Sequence, residues 1–82
     1  MKLPRSLSAA QLLKGLGKLG YVEVRQTGSH VRLLCKTNGG HHLTVPLHDP
    51  LKVGTLAAIL SDVAQHQGMT QSQLLQRLFD GR

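Results

Sequence analysis

Two glycine-bearing turns constrain this chain more than any other feature. Thr27-Gly28 and Thr37-Asn38-Gly39-Gly40 cut its middle third into three short segments, Tyr21–Gln26, His30–Lys36 and His41–Val45. Each segment alternates in the way a half-buried strand does. Connections this short join antiparallel neighbours, because a parallel pairing needs a crossover of a dozen residues or more. The middle of the chain is therefore expected to be a three-stranded antiparallel meander. Alternation sets Val22 and Val24 against Tyr21, Glu23 and Arg25 on the first segment. On the second it sets Val31, Leu33 and Cys35 against His30, Arg32, Leu34 and Lys36. On the third, Leu43 and Val45 face the core and His42 and Thr44 face away; Pro46 ends the strand because it cannot donate to a ladder.

Helical signals flank the meander. Ser8 followed by Gln11 has the spacing of a capping box. Leu12, Leu13, Leu16 and Leu19 then recur at helical intervals, up to a stop at Gly20. Gly15 and Gly17 lower the helix propensity of this stretch, and Lys14 and Lys18 fall on one exposed face. Pro4 and Arg5 read as an amino-terminal arm. Beyond a loop carrying His48, Asp49 and Lys52, a second helix starts at Thr55, buries Leu56, Ile59, Leu60 and Val63, and breaks at Gly68. Thr70 with Gln73 offers a further capping box, for a short last helix with Leu74, Leu75, Leu78 and Phe79. The expected fold class is α+β: one domain over residues 1–82, with helices covering one face of the sheet.

The other face defines the chemistry. The chain is 82 residues long with a net charge of +6, and the whole excess lies in the first 52 residues. Such a face suits a polyanion, with nucleic acid the commonest. With only Tyr21 and Phe79 as aromatics, base stacking cannot be the main mode of binding. Strand alternation places His30, at the start of its strand, on the same side as Arg25, Arg32 and Lys36. Imidazole is the side chain that exchanges protons near neutral pH. The sole cysteine, Cys35, excludes an intrachain disulfide and alternates with core residues. No window approaches the ~20 apolar residues of a membrane span, and no signal segment is evident, so a cytoplasmic protein is expected. No His or Cys spacing matches a structural zinc site, and His41 and His42 point to opposite faces, so neither metal nor cofactor is expected.

Four segments resemble one family, the HicA-type (YcfA-like) mRNA interferase toxins of bacterial type II toxin–antitoxin systems. They are Lys2-Leu3-Pro4-Arg5-Ser6-Leu7-Ser8, Lys18-Leu19-Gly20-Tyr21, Gly28-Ser29-His30, and Val45-Pro46-Leu47-His48 with the following Leu51-Lys52-Val53-Gly54-Thr55-Leu56 and Ile59-Leu60. The likeness spans about residues 1–68 and leaves 69–82 as a helical extension. It implies a double-stranded-RNA-binding-domain-like α-β-β-β-α fold, endoribonuclease activity on mRNA, and inhibition by a HicB-type antitoxin. It also implies that His30 is the catalytic histidine.

A ribonuclease that works without metal needs a base for the 2′-hydroxyl, positive charge for the phosphorane and an acid for the leaving oxygen. We assign the proton transfer to His30 and RNA contacts to Arg25, Ser29, Arg32, Lys36 and Lys52. His48 has two readings, a second proton-transfer group or a partner of Asp49 that fixes the loop, and we favour the second. Lys52-Val53-Gly54-Thr55 brings a cation and backbone N–H groups to a helix start, either as an anion contact or as a plain cap by Thr55. Two rival functions share the fold and charge: a non-catalytic RNA-binding module or degenerate toxin, and an interaction protein whose basic face docks an acidic partner.

Overall fold

The computed structural model describes residues 7–79; the Pro4-Arg5 arm, most of the first family-like segment and the last three residues lie outside the described residues. Helix α1 (Ala9–Gly17) leads into strands β1 (Tyr21–Thr27), β2 (His30–Cys35) and β3 (His41–Pro46), followed by α2 (Val53–Gln67) and α3 (Gln71–Phe79). The strands form one antiparallel sheet in the order β1-β2-β3. This is the α+β class and the α-β-β-β-α order with a further carboxy-terminal helix that the sequence predicts.

Both capping boxes form. The Gln11 N–H donates to Ser8 Oγ at 3.1 Å while the Ser8 N–H donates to Gln11 Oε1 at 2.9 Å. Thr70 and Gln73 make the same reciprocal pair at 3.1 and 2.9 Å. Gly68 ends α2 in the left-handed region at φ 68°. Helix α2 begins at Val53 instead of Thr55, and Thr55 is not its cap. Lys52 holds the cap position with extended backbone and no side-chain bond. The chain is pinned just upstream, where Leu51 is buried and its N–H donates to the Leu7 carbonyl at 2.8 Å. The helix starts as soon as the chain leaves that anchor.

The core lies between the sheet and the helices. Val31, Leu33 and Cys35 of β2 and Leu43 and Val45 of β3 meet Leu12 and Leu16 of α1 and Leu56, Leu60 and Val63 of α2. Helix α3 packs on α1 and α2 and buries Leu74 and Leu78. Each such side chain contributes roughly 1.5–3 kcal/mol of transfer free energy.

The alternation of β1 differs from expectation. Tyr21 is buried at 3 % exposure, whereas Val22 and Val24 are half exposed, at 53 % and 50 %. The register explains the reversal. Glu23 pairs with Leu33 and Arg25 pairs with Arg32, leaving Val24 as the extra residue of a β-bulge. Tyr21 and Arg25 thus lie on opposite faces although strict alternation puts them on one. The inward Tyr21 hydroxyl bonds His41 Nδ1, His41 Nε2 lies 3.2 Å from an Asp62 carboxylate oxygen, and His41 stacks on His66 at 4.6 Å between ring centroids. His66 Nε2 in turn donates to the Thr37 carbonyl at 3.0 Å. This network ties the far end of the sheet to α2.

Candidate nucleic-acid interface

The β1–β2 connection is a two-residue hairpin, Gly28-Ser29, closed by the Thr27–His30 pair. Gly28 takes φ 58°, the positive value that the first position of such a turn requires. The turn sits one residue later than Thr27-Gly28, so Thr27 belongs to β1. His30 opens β2, as the sequence predicts.

Cross-strand pairing then fixes an array on the outer face, because directly opposite residues project to the same side. One row reads Arg25, Arg32, Thr44 across β1, β2 and β3. The next row reads Thr27, His30, Pro46. Rows two residues apart along a strand are separated by about 6.6 Å, within reach of an arginine side chain. Arg25, Thr27, His30, Arg32 and Thr44 line an open hollow of about 230 Å³. All five are exposed, and none is acidic. Thr27 is absent from the sequence-based site because a Thr27-Gly28 turn takes it out of the strand; a two-residue loop between Thr27 and His30 is the signal that reveals it.

A second hollow, of about 170 Å³, lies beyond Pro46 and is lined by Pro46, His48, Leu51, Lys52 and Thr55. The two hollows are coupled through the backbone. Pro46 pairs with His30, and the Leu47 N–H donates to the Ser29 carbonyl at 2.6 Å. Ser29 therefore fastens the His48 loop to the His30 hairpin, and its side chain stays exposed. His48 and Asp49 are both exposed, and among the described residues the His48 side chain has no hydrogen-bond or ion-pair partner. The structure gives no support to a loop fixed by a His48–Asp49 pair. The loop is held by its backbone and by Leu51.

Lys36 does not join this group. It follows the last residue of β2, at the opposite end from His30, about 20 Å away along the strand. Lys52 belongs to the second hollow. Arg25, Arg32 and His30 are thus brought together, His48 and Lys52 adjoin them, and Lys36 lies apart.

The buried thiol of Cys35 is a core group. Burial acts to raise its pKa, but hydrogen bonds with the side chain and backbone of Thr37 and with Gln67 outweigh burial and leave it lowered. With 0 % exposure it meets no reagent at the surface. Among the described residues, no three His, Cys, Asp or Glu side chains are grouped to hold a metal ion, and no helix is long and apolar enough to cross a membrane.

Comparison with protein families places these features. A family described as HicA toxin of bacterial toxin–antitoxin matches residues 9–64, a shorter span than the 1–68 expected from the motifs. Neither the curated proteins nor the solved structures give a match. The matched span runs from α1 through the His30 hairpin and the His48 loop into α2, and covers more than half of the sequence: the chain belongs to the HicA toxin family.

Proposed function

We propose that this toxin is an endoribonuclease that cleaves mRNA by histidine acid–base catalysis, without metal or cofactor, and that a HicB-type antitoxin restrains it. The observation that carries the reading is the outer-face array, in which an exposed imidazole stands one row from two arginines and no carboxylate intervenes. His30 takes the proton of the 2′-hydroxyl as the 2′-oxygen bonds to phosphorus. Arg25 and Arg32 face the charge that builds on the non-bridging oxygens. The bond from phosphorus to the 5′-oxygen breaks, and the leaving oxygen receives a proton, from His48 or from solvent. The products are a 2′,3′-cyclic phosphate and a 5′-hydroxyl. Ser29 holds the hairpin in place, Lys52 contacts the flanking phosphate, and Lys36 contributes to binding at a distance. The net charge of +6 suits an acidic antitoxin as well as RNA.

The test is substrate chemistry. An RNA oligonucleotide is expected to be cut to cyclic phosphate ends, and the same sequence with 2′-O-methyl groups to be bound but left whole. Cleavage of the methylated strand contradicts attack by the 2′-oxygen. Binding without cleavage of either strand returns the protein to the non-catalytic RNA-binding reading.

A further inference from the structure

Arg25 and Arg32 are directly opposed across β1 and β2. Like charges in that position destabilise a sheet pair. Neither guanidinium has an ion-pair partner among the described residues. The bulge at Val24 is what turns Arg25 to this side; without it, alternation from Tyr21 would turn Arg25 inward, away from Arg32. The strand thus departs from regular geometry and sets two like charges face to face. Two hydroxyl-bearing neighbours, Thr27 and Thr44, border the same hollow.

We propose that Arg25 and Arg32 form one oxyanion clamp that prefers a phosphomonoester dianion, such as the 3′-phosphate end of an RNA strand, over the monoanionic phosphodiester of an intact chain. The inference rests on reading the outer face as an RNA surface, but it needs no cleavage. A phosphodiester carries a single negative charge, which one guanidinium satisfies. A terminal phosphate carries about −1.5 to −2 near pH 7 and presents three acceptor oxygens. Two guanidinium forks offer paired N–H donors to those oxygens from two sides. The same clamp matches the extra charge of a pentacoordinate phosphorane, so it serves the transition state more than the bound substrate.

The experiment uses the full chain and one short 2′-O-methyl RNA, made with a 3′-phosphate or a 3′-hydroxyl end, with binding read by calorimetry. The phosphate form is expected to bind about ten- to a hundredfold more tightly, the range of a charge-assisted hydrogen-bonded contact. Arg25→Gln and Arg32→Gln are each expected to remove most of that preference. The double variant should lose little more than either single one, because both groups act on one ligand. Both side chains are exposed, so the variants keep the core, which circular dichroism checks. Equal binding of the two ends, or a preference that survives Arg25→Gln, overturns the clamp. Cleavage of unmodified RNA is assayed alongside. Preference without cleavage keeps the clamp and removes the nuclease, whereas cleavage without preference removes the clamp alone.

Discussion

His30 and Tyr21 show how one side chain takes its role from where the backbone puts it. His30 is exposed at a hairpin end, so removing its imidazole disturbs no packing; His30→Ala is expected to change stability by less than about 0.5 kcal/mol. Tyr21 is the chain's only tyrosine, and burial raises its hydroxyl above the ordinary value of 10.0, against a lowering hydrogen bond from Gln67. A raised acid stays neutral longer in the folded state than in the unfolded chain. Its contribution to stability is therefore intact below about pH 10 and is lost as pH rises through the folded value. Alkaline titration of the tyrosinate absorbance should show a midpoint above 10 in native protein, falling to the ordinary value in urea. A native midpoint at or below the ordinary value contradicts the burial of Tyr21.

Elements were legible where a local rule decides them. Ser8 with Gln11 and Thr70 with Gln73 announce two helices by caps that need no tertiary information. Gly28 and Gly39-Gly40 announce the meander by turn geometry. The bulge at Val24 was not legible, because it depends on which residues the partner strand and helices bury. The start of α2 was displaced for the same reason, since the Leu51 anchor is a tertiary contact. The bulge also protects an exposed edge: β1 carries half-exposed Val22 and Val24, and the kink together with Glu23 and Arg25 discourages pairing with another chain. Gly15 is a further case of hidden context. By propensity alone, alanine should improve α1 at both Gly15 and Gly17. A Cβ at Gly15 would stand 2.9 Å from the Leu78 backbone oxygen and 3.2 Å from its Cβ, whereas Gly17 has nothing within 4 Å. Gly17→Ala is expected to stabilise by about 0.5–1 kcal/mol. Gly15→Ala is expected to destabilise by about 1–3 kcal/mol through overpacking, as urea unfolding will read. Equal effects at the two sites contradict the close seating of α3 on α1.

At the scale of the molecule, the family match ends at residue 64, but the core does not. Leu74 and Leu78 of α3 lie at 0 % and 2 % exposure against α1 and α2. A chain ended at Gly68 should lose about 3–6 kcal/mol of stability, the transfer free energy of two leucines, a large part of what a small domain has. Thermal denaturation of the truncated chain checks this, and an unchanged midpoint makes α3 an appendage. If RNA lies on the basic face as proposed, its affinity is expected to fall steeply with salt, with the slope shrinking by about one for each phosphate-contacting lysine or arginine removed. Lys36, at the far end of β2, should weaken affinity when replaced by glutamine while leaving the rate at saturating RNA unchanged.

That this HicA-family toxin cuts RNA with His30 is our proposal. Its most direct test is the integrity of a long mRNA incubated in EDTA with native protein and, in parallel, with His30→Ala. Fragments are expected from the native protein and intact RNA from a folded, RNA-bound His30→Ala protein. Fragmentation by the His30→Ala protein contradicts it, and so does intact RNA in both samples.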